Sequence, residues 1–346
     1  MNINQKIEDI FNEWDDSEDF SGVISISNSS AIVYEKVQGF RNRGEKLPNK
    51  RDTAFGTASG TKLFTAAAIC QLIDQGKLTP GSKVWDILPQ DLKTIDKAIT
   101  VFHLLTHSSG IADYLDFEDR ENKELFYDKH PVNKWTSNEF YLPLFNELPC
   151  KFKPGTKADY SNSNFILLGL IIEAVTKESY HTYMGENVFK PLGLTGTGFY
   201  ATNNLPANTA VGYIWDRKLD EYVGNYFHLP VVGAADGGLY TTANDMALFW
   251  SSVFEGKMFS QSILEKFLAP HTVFEDIDGH FGLGVFVSDK EGDKVYWHDG
   301  GDYGVNFCTA YCPGTGNILT ILSNVGVNLL EFSEELIRLI ASRADR

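Results

Sequence analysis

Residues 55–78 read FGTASGTKLFTAAAICQLIDQGKL. The apolar run in this stretch predicts a buried helix that begins near Ser59, continues to Gln75 and ends at Gly76, a residue type favoured just after a helix. Ser59 and Lys62 are three positions apart, so the serine hydroxyl and the lysine amine share one helix face and can meet. A cation in the first turn of a buried helix opposes the helix dipole, which favours a chemical role. The alternative is an N-cap serine beside a solvated lysine.

A second candidate is Tyr160-Ser161-Asn162, directly before the apolar segment SNFILLGLIIEAV. A tyrosine here can pass a proton, provided that a nearby cation depresses its pKa from about 10. The Asn162 amide can hold Lys62 and a substrate amide oxygen. The alternative is an ordinary turn with Ser161 or Ser163 as the helix N-cap, because serine and asparagine favour such positions.

A third candidate is His298-Asp299-Gly300-Gly301, which follows the predicted strand VYW. A glycine pair beside an imidazole lets the backbone approach a ligand closely and direct an N–H group at it. His280 also stands two residues before a glycine, but it leads directly into the apolar run GLGVFV. We therefore interpret His280 as a strand-start residue.

Two histidines four residues apart, His103 and His107, have a spacing that can suit a metal. Leu104 stands where a zinc protease would need its glutamate, so hydrogen bonding within the LLTHSSG turn is the preferred interpretation. Neither a metal nor another cofactor is predicted. The absence of a Gly-x-Ser-x-Gly elbow excludes the α/β-hydrolase route to a serine hydrolase.

The strand and helix patterns predict an α+β fold. Apolar residues at helical spacing predict an amphipathic helix at each end of the chain, in INQKIEDIFNEW and LLEFSEELIRLIASRA. Alternation in SGVISISNSSAIVYEKVQGF predicts a hairpin with its turn at residues 28–30. GLGVFVSDK, KVYWHDG, VNFCTAYCP and NILTILSN are typical of antiparallel strands. Strands from both ends thus flank a helix-rich middle, residues 63–227, rather than alternating with helices.

The composition restricts the possible partners. The chain of 346 residues has 43% hydrophobic residues and a formal net charge of −16. An acidic surface repels phosphate backbones and anionic lipid, so nucleic-acid binding is not expected. No apolar run approaches the roughly 20 residues that a membrane span needs. The expected partner is a small-molecule or short-peptide substrate.

The N-terminal sequence MNINQKIEDIFNEWDDSEDF has no cationic start followed by an apolar run, so no secretory signal is visible. The expected location is cytoplasmic, or exported or at the surface if a signal has been removed. Cys308 and Cys312 lie about 13 Å apart on a predicted strand, too far for a local disulfide. Cys70, within the first apolar helix, is predicted to be a buried free thiol.

The motifs Ser-x-x-Lys, Tyr-x-Asn and His-x-Gly occur in this order, and with them the chain resembles the class C β-lactamase and penicillin-binding-protein family of serine hydrolases. That family also holds D,D-peptidases, D-aminopeptidases and esterases. The resemblance extends from about Phe20 to Asn324. It rests on six blocks: FGTASGTKLFTAAAICQLIDQGKL, ITVFHLLTHSSGI, PGTKADYSNSNFILLGLIIEAVT, FKPLGLTGTGF, GAADGGLYTTANDMALFW and HDGGDYG.

The resemblance implies catalytic roles for three residues. Ser59 attacks a carbonyl and becomes acylated, while Lys62 takes or steers the serine proton. Tyr160 relays that proton to the leaving group and then helps to activate the hydrolytic water. An acyl-serine intermediate of this kind divides one difficult step into two easier ones.

The resemblance also implies binding roles. Asn162 positions Lys62 and the substrate, and His298 and Gly300 are expected to contact the substrate. The backbone N–H groups of Ser59 and Gly301 are expected to form the oxyanion hole, where each donor contributes about 2.7–4 kcal/mol in the transition state.

One position departs from the pattern of the β-lactamases. His298 stands where they usually carry lysine. Histidine is mostly neutral at pH 7, so the recognition of a substrate carboxylate weakens. Asp299 beside it adds negative charge. Both residues argue against efficient β-lactamase activity without choosing among the other activities of the family.

The fold implied is β-lactamase/transpeptidase-like: an antiparallel sheet flanked by the terminal helices, plus an all-helical domain. We expect residues 1–65 and 230–346 to form the sheet domain and residues 66–229 the helical domain, with the site in the cleft between them. The pocket walls are expected to come from loops 114–149 and 199–230.

The leading hypothesis is hydrolysis of an ester or amide through an acyl-Ser59 intermediate. Within the enzyme class, the alternative is a D,D-peptidase or penicillin-binding protein, or a weak β-lactamase, for which β-lactams would be ligands. From a different class, the alternative is a non-catalytic sensor or binding protein of the same fold. The intact Ser59, Lys62 and Tyr160 argue against that last alternative.

Overall fold

The computed structural model describes residues 2–28, 31–116, 126, 129–274 and 279–342. Its α-helices are α1 (Ile3–Glu13), α2 (Thr61–Asp74), α3 (Val84–Ile87), α4 (Val101–Leu105), α5 (Asn138–Phe145), α6 (Asn162–Thr176), α7 (Tyr180–Tyr183), α8 (Lys190–Leu192), α9 (Ala243–Phe254), α10 (Gln261–Leu268) and α11 (Leu330–Ala341). Short 3-10 turns cover Ala58–Gly60 and Val132–Lys134, and a π-helical turn covers Met184–Phe189.

Within the described residues, seven antiparallel strands form the main sheet in the order β2-β1-β13-β12-β11-β10-β9. These strands are β1 (Gly22–Ser27), β2 (Ile32–Gln38), β9 (His280–Phe281), β10 (Phe286–Lys290), β11 (Asp293–Asp302), β12 (Val305–Cys312) and β13 (Asn317–Ser323). The remaining strands form pairs: β3 (Phe40–Asn42) with β4 (Leu47–Pro48), β5 (Phe55–Gly56) with β8 (Tyr240–Thr241), and β6 (Tyr213–Asp216) with β7 (Glu221–Gly224). The N-terminal strand β1 lies beside β13 from the other end of the chain.

The two faces of the sheet are covered by different helices. On one face, α1 and α11 meet, and the rings of Trp14 and Phe332 stack with centroids 4.3 Å apart. On the other face, α2 and α9 share a hydrophobic core with Phe307 and Leu322 of the sheet. Burial of both apolar faces between helices stabilises the sheet, because apolar area is removed from water on each side.

Most of the predicted elements are confirmed. Both terminal helices form, and β1 and β2 form the predicted hairpin, although residues 29–30 of its turn lie outside the described part of the chain. The Ser59 helix starts as a 3-10 turn and ends before Gly76, whose φ of 70° is the expected left-handed value. All four cysteines are free thiols. Among the described residues, no helix is sufficiently long and apolar to span a bilayer.

The β6–β7 hairpin is a difference from the expectation of an all-helical middle region. Trp215 and Tyr222 face each other across this hairpin, with ring centroids 5.0 Å apart. The Asp216 side chain accepts a hydrogen bond from the Lys218 backbone and so closes the turn. Aromatic cross-strand pairs favour strands even within a polar stretch. The prediction of an all-helical middle region did not take this pair into account. The division into residues 1–65 with 230–346 and residues 66–229 stays a prediction.

Two buried threonines on β12 and β13 provide a test of the core. Thr309 accepts a hydrogen bond from the Trp250 indole N–H at 2.9 Å and donates to the Leu319 carbonyl at 3.0 Å. Its cross-strand partner Thr320 is buried, and its hydroxyl has no hydrogen-bond partner among the described residues. Thr309→Val should therefore lower the free energy of unfolding by about 1–3 kcal/mol, because it leaves the indole N–H unpaired. Urea unfolding followed by tryptophan fluorescence measures this loss.

Thr320→Val is the matched control, and it should leave the free energy of unfolding unchanged or raise it. The substitution removes a buried hydroxyl that makes no hydrogen bond. Equal losses in the two variants would show that the Trp250–Thr309 hydrogen bond does not stabilise the contact between α9 and the sheet.

Candidate active site

Ser59 lies in the 3-10 turn that leads from β5 into α2. The preceding residue, Ala58, has a φ of 45°, a left-handed value that costs about 1–3 kcal/mol for a residue with a side chain. Gly60 follows, and a Cβ atom at that position would lie 2.3 Å from the Phe307 ring. The turn is therefore strained and packed tightly against the sheet, and it leaves Ser59 on the wall of a cavity.

Lys62 is fully buried, as the apolar sequence around it predicted. Its Nζ atom donates three hydrogen bonds: to Ser59 Oγ at 3.0 Å, to Asn162 Oδ1 at 2.7 Å and to the Asp236 backbone carbonyl at 2.6 Å. The alternative of a solvated lysine beside an N-cap serine is therefore wrong. The three acceptors come from three separate parts of the chain, and together they occupy the three positions that an ammonium group can donate to.

Asn162 is oriented by a residue that the sequence did not identify. The Asp113 carboxylate accepts hydrogen bonds from the Asn162 side-chain amide at 2.8 Å and from the Asn162 backbone N–H at 3.0 Å. Because the amide nitrogen is held by Asp113, the amide oxygen is left to face Lys62. Burial raises the pKa of Asp113, while the bonds from Asn162 and the charge of Lys62 oppose that shift.

Tyr160 interacts with the side chains of both Lys62 and Ser59. Its ring stacks on the His107 imidazole, with centroids 4.4 Å apart. Burial raises the pKa of the Tyr160 phenol above its usual range, although the Lys62 charge and the interactions with the Lys62 and Ser59 side chains act in the opposite direction. The sequence-based role of Tyr160 carried the condition that a nearby cation depresses this pKa; Lys62 does act in that direction, but desolvation exceeds its effect, so the net shift is upward. Tyr160 is a protonated phenol at neutral pH.

His107 is a buried residue behind Tyr160. Its Nδ1 atom accepts a hydrogen bond from the backbone N–H of Ser161 at 3.1 Å; Ser161 is the N-cap residue of α6, as predicted, but its side chain makes no cap hydrogen bond. Its backbone φ is 53°, and its pKa is lowered well below the usual value by burial. Within the described residues, no group of histidine, cysteine or acidic side chains could hold a metal ion. His280 is an exposed residue at the start of β9, as interpreted from the sequence.

Asp236 is a second residue that sequence reasoning missed. Its carbonyl accepts from Lys62, and its buried carboxylate accepts from the Tyr114 hydroxyl at 2.6 Å. Burial raises the pKa of Asp236, against the effects of the Lys62 charge and the Tyr114 hydrogen bond. No local motif marks Asp236 or Asp113, because their contacts to Lys62 and Asn162 cross long distances in the sequence.

His298 is buried on β11 and does not lie on the cavity wall. Its Nδ1–H donates to the Asp299 carbonyl at 2.7 Å, and its Nε2 atom has no hydrogen-bond partner within the described residues. Burial lowers the pKa of His298 to about 3, with a smaller contribution from the Lys62 charge. The imidazole is therefore neutral at physiological pH, as the sequence predicted. The geometry favours a place behind the wall over the predicted direct contact with a substrate.

Gly300 and Gly301 bring β11 against the Ser59 turn. A Cβ atom at Gly300 would lie 2.2 Å from the Thr57 carbonyl oxygen and 2.8 Å from the Ser59 nitrogen, so only glycine allows this approach. Gly301 lines the same cavity as Ser59, whereas Gly300 lies behind it. The predicted oxyanion-hole residues thus share one cavity, and Gly300 contributes by close packing.

The cavity at Ser59 has a volume of about 240 Å³. The residues that line it come partly from the two predicted loops: Tyr114, Leu115, Val132, Trp135, Tyr141, Thr202, His228, Leu229 and Pro230. No lysine or arginine lines it within the described part of the chain, whereas two aspartates, Asp236 and Asp302, do. Asp299, expected to add negative charge here, does not line this cavity, because successive side chains of a strand point to opposite faces.

Comparisons with known proteins concern the sequence and the fold of the whole chain. A family model described as Beta-lactamase matches residues 7–342. PbpX of Bacillus subtilis strain 168 is 29% identical over 327 residues, which cover 94% of this chain and 75% of PbpX. The crystal structure of a penicillin binding protein from Bacillus halodurans has a TM-score of 0.86 and 34% identity, and the match covers 96% of this chain and 98% of that one.

A more distant structure shares the fold alone. The D-amino acid amidase from Ochrobactrum anthropi SV3 superimposes with a TM-score of 0.78 at 20% identity, over 98% of each chain. The β-lactamase/transpeptidase-like fold implied by the sequence is therefore confirmed.

The close approach at Gly300 generates a prediction. Gly300→Ala should lower the free energy of unfolding by about 1–3 kcal/mol, because the new Cβ atom collides with the backbone of the Ser59 turn. Gly326→Ala is the control, since nothing lies within 4 Å of a Cβ atom at that position. Urea unfolding of the two variants measures the difference. A Gly300→Ala protein as stable as the control would mean that the turn and β11 are not in contact.

The buried His298 generates a second prediction, on pH. The unfolded chain protonates this histidine near its usual pKa of 6.5, whereas the folded protein keeps it neutral down to about pH 3. Below pH 6.5 the unfolded state therefore binds more protons than the folded state, and the free energy of unfolding decreases as the pH is lowered. Between about pH 7 and pH 4.5, the free energy of unfolding of His298→Gln should decrease by about 2–3 kcal/mol less than that of the wild type. Urea unfolding at both pH values measures this loss.

His280→Gln, which removes an exposed histidine on β9, is the control for the pH experiment and should change the pH dependence little. A His298→Gln protein with the same loss of stability as the wild type would contradict the assignment of a neutral, buried imidazole.

Proposed function

The chain belongs to the beta-lactamase family, and from that membership we propose that it hydrolyses an ester or amide through an acyl-Ser59 intermediate. The observation that carries the proposal is the Lys62 amine, which is buried and hydrogen-bonded to Ser59 Oγ at 3.0 Å. A general base must lie within hydrogen-bond reach of the proton that it removes, and Lys62 meets this condition.

The surroundings of Lys62 suit the transfer of the Ser59 proton. In its neutral form, the amine would keep its two N–H bonds on the Asn162 oxygen and the Asp236 carbonyl, and its lone pair would face the Ser59 hydroxyl. As Ser59 Oγ bonds to the substrate carbonyl carbon, its proton passes to this amine. The ammonium formed would keep all three hydrogen bonds without movement of the side chain.

Tyr160 is placed to serve the leaving group. The phenol interacts with both Ser59 and Lys62, and its raised pKa keeps its proton in place at neutral pH. It can therefore donate this proton to the departing alkoxide or amine and recover one from Lys62. In the second half of the reaction, the same groups would take the proton of the water that attacks the acyl carbon.

The backbone N–H groups of Ser59 and Gly301 are proposed to stabilise the oxyanion. Both residues line the cavity, and the close contact of Gly300 holds β11 beside the Ser59 turn. Backbone donors held by a sheet and a strained turn need no reorganisation when the negative charge develops.

The charge of the cavity favours a neutral or cationic substrate. Its described lining has no lysine or arginine for a substrate carboxylate, and Asp302 contributes an acidic group. The apolar and aromatic walls at Tyr114, Val132 and Trp135 suit an apolar acyl or side-chain group. An ester or amide without a carboxylate is therefore the proposed substrate class.

The second candidate is a penicillin-binding protein, and the 34% identical structure of that name favours it. In that case a β-lactam would acylate Ser59 and remain bound. A sensor or binding protein without catalysis is the third candidate, and the Lys62 hydrogen bonds to Ser59 and Asn162 argue against it.

Intact-protein mass spectrometry with a p-nitrophenyl ester tests the proposal. The wild type should release p-nitrophenol and carry a transient acyl adduct. Ser59→Ala should lose both, with a fall in kcat/KM of about 1,000-fold or more, because the attacking oxygen is removed. Ser161→Ala is the matched control and should keep wild-type activity, since the buried Ser161 hydroxyl has no hydrogen-bond partner within the described residues.

A fluorescent penicillin separates the first two candidates. Lasting labelling of Ser59 together with slow ester turnover would favour the penicillin-binding protein. Ester turnover by Ser59→Ala at the wild-type rate would overturn both candidates.

A further inference from the structure

A second cavity lies on the other side of β11, between the sheet and α11, with a volume of about 390 Å³. Its walls come from three neighbouring strands and from the segment that leads into α11: Phe286, Ser288, Lys290, Trp297, Asp299, Cys308, Val327, Leu329, Ser333, Glu334 and Ile337 are among the residues that line it. We call it the α11 cavity. A cavity of this size is within the range that binds small molecules.

Asp299 gives the α11 cavity its charge. It is paired across the strands with Cys308, and both residues line the cavity. Within the described part of the chain, no lysine or arginine forms an ion pair with the Asp299 carboxylate. The other charged residues of the lining, Lys290 and Glu334, pair with each other at 3.0 Å. The α11 cavity therefore has one carboxylate without an ion-pair partner in the described lining; desolvation raises the pKa of this carboxyl, while a backbone hydrogen bond and the Lys62 charge oppose the shift.

Beside Asp299 the wall is aromatic. Trp297 is two residues away on the same face of β11, and its ring stacks on Phe286 with centroids 4.3 Å apart. The Trp297 indole N–H donates to Ser288 Oγ at 3.0 Å, which holds the ring in place. An aromatic face next to a carboxylate is the combination that binds an organic ammonium group, through charge attraction and a cation–π contact.

We propose that the α11 cavity is a binding site for a small organic cation with an apolar body. The ammonium group would lie between the Asp299 carboxylate and the Trp297 ring, and the apolar body would contact Leu329 and Ile337. The strongly acidic chain, with a formal net charge of −16, also attracts cations.

The α11 cavity shares its strand with the candidate active site. The Asp299 carbonyl accepts from His298, and the next residue, Gly300, packs against the Ser59 turn. Gly301 lines both cavities. A ligand that binds the Asp299 side chain therefore contacts β11, the strand that carries the proposed oxyanion-hole N–H of Gly301. This coupling rests on the proposed function, whereas binding itself does not.

Calorimetric titration of the full chain with 3-phenylpropylammonium tests the binding. The neutral isostere 3-phenylpropan-1-ol is the comparison ligand. The ammonium should bind about tenfold more tightly than the alcohol, because only the ammonium pairs with the carboxylate. Asp299→Asn should reduce this ratio to near one. Asp289→Asn is the matched control: it removes an exposed carboxylate of β10 outside the cavity and should keep the preference.

Hydrogen–deuterium exchange locates the ligand. The ammonium should slow exchange in β11 and in residues 327–334, and it should do so equally in Ser59→Ala. The inference is overturned by equal affinity for the two ligands, by a preference that survives Asp299→Asn, by protection confined to residues 199–230, or by the absence of binding at millimolar concentration.

An activity measurement tests the coupling separately. Saturating 3-phenylpropylammonium should change kcat/KM for the p-nitrophenyl ester in the wild type and leave Asp299→Asn unaffected. If no ester is hydrolysed at all, the proposed function fails. The calorimetric titration would still show whether the α11 cavity binds the organic cation. Binding without any change in turnover would overturn the coupling alone.

Discussion

The burial of Lys62 is the constraint on which the rest of the site depends. A cation removed from water costs several kcal/mol unless hydrogen-bond acceptors replace the solvent. Ser59, Asn162 and the Asp236 carbonyl supply these acceptors, and they come from the 3-10 turn before α2, the start of α6 and the segment before β8. A displacement of any of these elements would leave a buried N–H of Lys62 unpaired. The Lys62 amine therefore fixes the positions of these elements relative to one another.

The acceptors of Lys62 are themselves held by buried polar groups. Asp113 orients the Asn162 amide, Tyr114 donates to the Asp236 carboxylate, and His107 lies under the Tyr160 ring. A buried polar network is stable when its members are satisfied, and Asp113 and Tyr114 each pair a buried polar group, whereas His107 supports Tyr160 by ring stacking. The network therefore explains both the rigidity of the site and the directions of its pKa shifts, since burial dominates for the aspartates, the histidine and Tyr160.

Strand β11 serves two cavities because a strand alternates its side chains. His298 is buried on the side of the helices that carry Ser59, while Trp297 and Asp299 face α11. The glycines that follow have no side chain and allow contact from both sides. A neutral imidazole on one face and a carboxylate on the other give adjacent residues different chemical surroundings.

The sequence by itself determined the features that depend on local spacing. Ser59 and Lys62 meet because residues three apart share a helix face, and the strands and terminal helices follow from their apolar periods. The family resemblance added Tyr160, Asn162 and Gly301. Only the tertiary structure decided the places of Asp113, Asp236 and His107, the face of Asp299, and the raised pKa of Tyr160. Contacts between residues distant in the chain, and the loss of solvent around them, leave no periodic signal in a single sequence.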